Sequence, residues 1–169
     1  RGLRSFVHVC DMMGPMSELW QLGALELAEK IRARDISSRE VVEAHLARID
    51  AVNPSLNAVV RRLDDEALDA ADRADKAVAD GSPLGVFHGV PITVKENIDV
   101  AGTPTAQGIL ALADAVSPSD APTVERMRAA GAIPFARTNM PDLGFRVHTY
   151  SSLHGLTRNP HHPGRTAGG

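Results

Sequence analysis

The sequence has little material for several common kinds of binding site. Its single cysteine, Cys10, excludes an internal disulfide or a thiolate metal cluster within these 169 residues and predicts a reducing, cytoplasmic location. Aromatic residues make up only 4%, and the formal net charge is −3, so we expect no nucleic-acid partner. No apolar run approaches the roughly 18 residues that a membrane-spanning helix needs, so we expect no membrane span.

Several well-known motifs of catalysis and cofactor binding are also missing. The chain contains no G-x-S-x-G, S-x-x-K, H-E-x-x-H or C-x-x-C, and no glycine-rich phosphate loop. His148, His154, His161 and His162 fall in one loop-rich region, but their spacing matches no helix face and no carboxylate motif accompanies them. We interpret them as solvated loop histidines, and the sequence predicts neither a metal nor a cofactor.

Three helices dominate the first half of the chain. With 43% hydrophobic and 23% charged residues, the composition is that of a globular domain. Apolar spacing predicts one helix over 22–32 and another that starts at a Ser37–Glu40 capping box and ends before Asn53–Pro54. A third is predicted over 65–80, with its small apolar residues on one face.

Strands alternate with these helices. We predict short strands at 56–60, 90–94 and 132–136, with Pro91 at the start of its strand and Pro134 at a bulge or an unpaired position. A fourth helix, with Asp120 as its N-cap, separates the last two. This order of elements is typical of an α/β fold, whereas the region after residue 137 shows little periodicity.

Lys95 stands at the end of the strand predicted at 90–94. Only three of the 18 basic residues are lysine, and Lys30 and Lys76 lie on charged helix faces. Burial at the strand end would favour the neutral amine, a form that lysine can adopt and arginine effectively cannot. A neutral amine beside a hydroxyl is a general base that can activate a serine without histidine. The alternative is that Lys95 extends from the strand end into water.

Three collinear blocks of the sequence carry a resemblance when they are taken together. They read GVPITVKENIDVAGTPT at 89–105, GAIPFARTNMPDL at 131–143 and GLTRNPHHPGRTAGG at 155–169. In this order they resemble the amidase signature family. The form GAIPF…TNMP is similar to the branch that includes fatty acid amide hydrolase and its bacterial relatives. The resemblance implies an α/β fold with a mixed sheet flanked by helices, of which this chain is the incomplete N-terminal part.

The resemblance also implies a reaction. Members of that family hydrolyse amides with a serine, a second serine in a cis peptide, and a lysine, which Lys95 matches. The cis-serine lies in a Gly-Gly-Ser-Ser-Gly-Gly motif, of which the sequence has Gly168 and Gly169 only. The resemblance therefore implies a small-molecule amide substrate, no cofactor, and a triad of which only Lys95 is present, so we expect this piece to be inactive. Lys95 should then lie close to Gly168–Gly169.

Domain limits and partners are further expectations. We expect residues 1–15 to be a non-native or disordered leader, with Met16 as the true start, and residues 16–169 to be the N-terminal portion of the amidase signature domain. The chain has Arg137 at a position where relatives often have lysine. The run HTYSSLHG at 148–155 also departs from the pattern of the family, at positions that the resemblance places near the acyl pocket, so the substrate preference is left open. Two alternatives are the A subunit of a glutamyl-tRNA amidotransferase and a non-catalytic binding or assembly module; a homodimer is also left open.

Overall fold

The computed structural model describes residues 15–168. A 3-10 helix at Pro15–Gln21 opens this part, and the main elements follow in the order α1 Ala24–Ala33, α2 Ser38–Leu56, β1 Val59–Arg62, α3 Asp64–Ala79, β2 Pro91–Lys95, α4 Pro122–Ala129 and β3 Ile133–Thr138. The order is the one predicted, so the α/β class is confirmed. Residues 1–14 of the expected leader lie outside the described residues, and the division at Met16 stays a prediction.

The three main strands form a mixed sheet in the order β1-β3-β2. Strand β3 runs parallel to β2 and antiparallel to β1, and five of its six residues are buried. Pro91 is the first residue of β2, as predicted. Pro134 pairs with Ile92, whereas Ala136 pairs with Thr93, so Phe135 is an extra residue in the ladder. The expected bulge is therefore confirmed immediately after Pro134.

The region after residue 137 is more regular than its sequence suggests. Two short antiparallel hairpins follow, one from β4 Tyr150–Ser151 and β5 Gly155–Leu156, the other from β6 Arg158–Asn159 and β7 His162–Thr166. Strands β4, β5 and β6 have two residues each, and four of the five residues of β7 are exposed, so none of them shows an alternation of apolar and polar side chains.

Helix α2 extends further than predicted. It continues through Pro54 to Leu56, and β1 consequently starts at Val59 instead of residue 56. Asn57 adopts a left-handed conformation (φ 54°) at the helix end, while the Asn53 side chain accepts hydrogen bonds from the amides of Ala58 and Val59, both at 2.8 Å. These side-chain bonds satisfy two backbone amides just beyond the end of the helix.

The predicted N-cap of the fourth helix was wrong. Ala121 occupies that position, and its side chain makes no capping bond. The Asp120 carboxylate instead accepts a bond from the Ala101 amide at 2.8 Å and pairs with Arg128 at 2.8 Å. Asp120 therefore bonds to the amide of Ala101, 19 residues away, instead of capping the helix that follows it.

Within residues 15–168 the core consists of three clusters, two of which meet along α2. The α3 face is buried as predicted, at Ala67, Ala71, Ala74 and Val78. The predicted apolar stripe of α1 was wrong at Leu25, whose exposure is 58%, because Leu27 faces the core in its place. None of the described helices combines the length and the apolar character that crossing a bilayer requires.

Candidate active site

The carboxyl ends of the parallel strands β2 and β3 bring Lys95 and Thr138 together. These are the last residues of the two strands, and they are register partners. Lys95 is half-buried, and its amine has no hydrogen-bond or ion-pair partner among residues 15–168. The predicted strand-end position is therefore confirmed, whereas the neutral state of the amine and its catalytic role stay predictions.

The backbone around Lys95 is fixed by several hydrogen bonds. The Glu96 amide donates to the Thr138 carbonyl at 3.0 Å, and the Ile98 amide donates to the Lys95 carbonyl at 3.0 Å. Arg137 Nη2 donates to the Ile98 carbonyl at 2.7 Å and, at a longer 3.4 Å, to that of Lys95. The lysine thus sits between a rigid strand and a closed turn, a support suited to a group that must keep its position.

Arg137 is buried in the central strand, although its sequence position gave it no clear role. Its exposure is 0%, and its Nη1 donates to the Thr103 hydroxyl and to the Pro104 carbonyl. Burial lowers the pKa of the guanidinium, and the negative charges of Glu96 and Asp99 partly offset that effect. A cation inside an otherwise apolar strand is the sequence signal that could have identified this residue.

Glu96 and His154 form a contact that the sequence reasoning missed. The Glu96 side chain is 3% exposed, and His154 Nε2 donates to its carboxylate oxygens at 2.9 and 3.1 Å. His154 is therefore not a solvated loop histidine, although His161 and His162 are exposed as predicted. The described residues contain no group of three or more histidine, cysteine, aspartate or glutamate side chains arranged to hold a metal.

The loop that carries His154 is attached to the ends of α2 and β3. Asn57 Nδ2 donates to the His154 carbonyl at 2.7 Å, and the His154 amide donates to Ser151 Oγ at 2.8 Å. After β3, Asn139 Nδ2 donates to Thr157 Oγ1 at 3.0 Å. Residues from distant parts of the chain therefore converge near the carboxyl ends of β2 and β3, where Lys95 lies.

The end of the described chain returns toward the same region. The Thr157 amide donates to the Thr149 carbonyl, and the Ala167 amide donates to the Thr157 carbonyl. Gly168 accepts a hydrogen bond from the Thr149 hydroxyl at 2.5 Å. This series of contacts leads from Gly168 through Thr157 to Asn139 beside the strand ends, while the expected approach of Lys95 to Gly168–Gly169 stays a prediction.

A model of the Amidase family matches residues 40–169. Among curated proteins, the chain is 52% identical over 155 residues to an indoleacetamide hydrolase of Bradyrhizobium diazoefficiens, covering 92% of this chain and 30% of that protein. It is 40% identical over 173 residues to fatty-acid amide hydrolase 2-A of Danio rerio, covering 96% of this chain and 32% of that protein. A subunits of glutamyl-tRNA(Gln) amidotransferases are also among the relatives, for example in Acidothermus cellulolyticus at 40% identity.

A solved structure gives the same result for the fold. The chain superimposes on a bacterial aryl acylamidase of the amidase signature family with a TM-score of 0.83 and 35% identity, covering 88% of this chain and 31% of that one. The chain thus spans about a third of the length of the relatives it matches. The resemblance to the amidase signature family and the partial amidase fold are both confirmed.

Proposed function

The chain belongs to the amidase family, and from that premise we propose that it is the N-terminal part of an enzyme that hydrolyses carboxamides to a carboxylate and an amine or ammonia. The observation that carries the proposal is the position of Lys95, half-buried at the last residue of β2 with an amine free of partners within residues 15–168. An amine in such a place is available to exchange a proton with a hydroxyl.

The proposed mechanism uses Lys95 as the general base. In its neutral form the amine takes a proton, through a bridging serine, from a nucleophilic serine that attacks the amide carbonyl. Backbone N–H groups stabilise the oxyanion, each contributing roughly 2.7–4 kcal/mol in comparable enzymes. The proton then passes to the leaving amine, and water hydrolyses the acyl-enzyme. Both serines belong to the two-thirds of such enzymes that this chain does not span.

The substrate is proposed to be a small organic amide. Support comes from the likeness to an indoleacetamide hydrolase, to a fatty-acid amide hydrolase and to an aryl acylamidase, which together suggest an aryl or alkyl amide. The single cysteine supports a cytoplasmic location. Indole-3-acetamide and oleamide are therefore suitable test substrates, because they represent the two kinds of acyl group.

The decisive experiment compares lysine variants of the full-length enzyme. We expect Lys95→Ala to lower kcat/KM by about 10³-fold or more, since it removes the base that activates the nucleophile. Lys95→Arg should be equally inactive, because arginine stays protonated. Lys76→Ala is the matched control, since Lys76 is an exposed lysine of α3, and it should keep wild-type kinetics.

The 169-residue chain is itself part of the test. Purified alone, it should show no turnover of either amide, because neither serine is present. Hydrolysis by this chain, or a full-length Lys95→Ala variant as active as wild type, would contradict the proposal.

A second candidate is the A subunit of a glutamyl-tRNA amidotransferase, which the 40% identity to such a subunit favours. It predicts that amide hydrolysis is slow until partner subunits and glutamyl-tRNA are added. The third alternative, a non-catalytic module that pairs through a free sheet edge at β1 or β2, predicts no activity at full length.

A further inference from the structure

The contact between Glu96 and His154 has no part in the proposed proton transfers. Glu96 follows Lys95 directly, and its carboxylate is almost fully buried, whereas the His154 side chain is 21% exposed. A buried carboxylate is costly unless it is well partnered, so a contact with both of its oxygens is a substantial element of the site.

His154 is held from two further directions. Its amide bonds to Ser151 Oγ and its carbonyl accepts from Asn57 Nδ2, while Ser151 is fully buried and Asn57 ends helix α2. These bonds hold the backbone of His154 in place, so its ring reaches Glu96 from an anchored position on the loop. His154 thus supplies a donor to Glu96 beside the end of β2.

Lys95 and Glu96 share one peptide unit, so whatever fixes Glu96 also limits Lys95. On the sheet side, the Glu96 amide is bonded to the Thr138 carbonyl. On the other side, the only side-chain bond of Glu96 within the described part of the chain is the one to His154. Burial lowers the pKa of Arg137 and the Glu96 charge partly offsets this, so an opposite charge lies in the same buried region.

We propose that Glu96 and His154 are positioning residues for Lys95, which fix the direction in which its amine leaves the strand end. The proposal rests on the function assigned above to Lys95. It differs from a purely structural role, which would lower the stability of the protein and leave the kcat of the folded enzyme unchanged.

The first test is kinetic and uses the full-length enzyme. His154→Ala should lower kcat about 10–100-fold with KM within about twofold, because a misplaced base slows chemistry more than binding. His154→Gln should recover most of the loss, since its side-chain amide retains a donor for Glu96. His161→Ala, an exposed histidine in the following hairpin, is the matched control and should keep wild-type kcat.

The second test measures coupling between the two residues. If Glu96 and His154 act through one contact, the loss of kcat in Glu96→Ala/His154→Ala should be no greater than about that of the worse single variant. Losses that multiply would show independent roles and overturn the proposal, as would a folded His154→Ala variant with wild-type kcat.

The third test reads the amine without using catalysis. The rate of Lys95 carbamoylation by cyanate is measured by mass spectrometry relative to Lys30 and Lys76 in the same protein. The ratio of the Lys95 rate to the rates of Lys30 and Lys76 should differ from its wild-type value in His154→Ala and equal that value in His161→Ala. A shifted ratio in an enzyme that hydrolyses no amide would support the positioning role and reject the proposed function. An unchanged ratio in an active, Lys95-dependent enzyme would reject the positioning role alone.

Discussion

At the residue scale, the buried charge of Arg137 is tolerated because carbonyl and hydroxyl oxygens surround it. Its guanidinium meets the carbonyls of Lys95, Ile98 and Pro104 and the hydroxyl of Thr103, while Nε has no partner among the described residues. Burying a charge is unfavourable unless such partners compensate for its lost hydration. Arg137 therefore fixes the turn after Lys95, although burying its charge offsets part of the stability that these hydrogen bonds contribute.

Removal of this side chain should be strongly destabilising. We expect Arg137→Ala to lower the free energy of unfolding by about 2–4 kcal/mol, since several buried acceptors lose their donor. Urea unfolding followed by circular dichroism measures the change. Arg126→Ala, at an exposed position of α4, is the control and should stay within about 0.5 kcal/mol of wild type. A similar small effect at Arg137 would contradict the role that we assign to its burial.

His45 should make stability depend on pH. Its Nδ1 donates to the Val41 carbonyl at 2.8 Å, and its ring packs edge-on against Phe135. Burial lowers the pKa of His45 below its ordinary value of 6.5, and the Val41 bond only partly opposes this. The unfolded chain therefore binds a proton before the folded chain does, so this contribution is present above pH 6.5 and is lost as the pH falls below it.

The measurement is urea unfolding at about pH 7.5 and about pH 5.5, on either side of the unfolded-state pKa of histidine. The loss of stability on acidification should be smaller in His45→Gln, which keeps a donor but cannot be protonated in this range. His161→Gln should lose as much as wild type, because His161 is exposed. Equal losses in all three proteins would show that His45 does not contribute.

At the element scale, helix α2 begins with capping contacts from two sources. Locally, the Ser37 side chain accepts from the Glu40 amide, and the Glu40 carboxylate accepts from the Ser37 amide at 2.7 Å. From helix α3, the Asp75 carboxylate accepts from the amides of Ser38 at 2.6 Å and Arg39 at 3.1 Å. Helix α3, which packs directly against α2, thus satisfies donors that α2 cannot pair internally.

Asp75→Asn should therefore weaken the docking of α2 on α3. An amide can accept only with its oxygen and lacks the charge that favours a helix N-terminus, so we expect a loss of about 1–2 kcal/mol. Asp72→Asn is a matched control one turn earlier on α3, where the carboxylate pairs with Arg39 at an exposed position; it should cost less than about 1 kcal/mol. Chemical denaturation of the two variants compares them directly, and equal losses would contradict a capping role for Asp75.

At the scale of the whole molecule, α2 separates two of the core clusters. Val41 and Val42 are consecutive and fully buried, yet Val41 belongs to the cluster that contains Ile31 of α1 and Val90, whereas Val42 belongs to the cluster that contains Ala67 of α3 and Phe135. Because the two clusters share α2, and α3 also contributes to both, we expect the loss of one cluster to destabilise the other. The described chain should therefore unfold as one cooperative unit.

Val41→Ala and Val42→Ala test this cooperativity. Each should lower stability by about 1–3 kcal/mol, because two buried methyl groups are lost and a small cavity is left. The fluorescence of Trp20, the sole tryptophan, and far-ultraviolet circular dichroism should give coincident transitions in both variants. Separate transitions for the two probes in either variant would show that the clusters unfold independently.

The sequence by itself determined the features that depend on neighbouring residues. The order of helices and strands, the Ser37–Glu40 capping box, the buried alanine face of α3 and the placement of Lys95 at a strand end all follow from local periodicity and local hydrogen bonding. The three motif blocks likewise identified the family, because each block is a contiguous run of residues.

Only the tertiary structure decided the features whose partners are distant in the sequence. Glu96 and His154 are 58 residues apart in the sequence. Asp120, which was expected to cap the fourth helix, bonds instead to the Ala101 amide, 19 residues away. Arg137 found its acceptors 33 to 42 residues before it. A sequence pattern shows which side chains are able to form hydrogen bonds. The fold decides which of these side chains are buried next to each other. Those that are buried must form hydrogen bonds, because a buried polar group without a partner is costly.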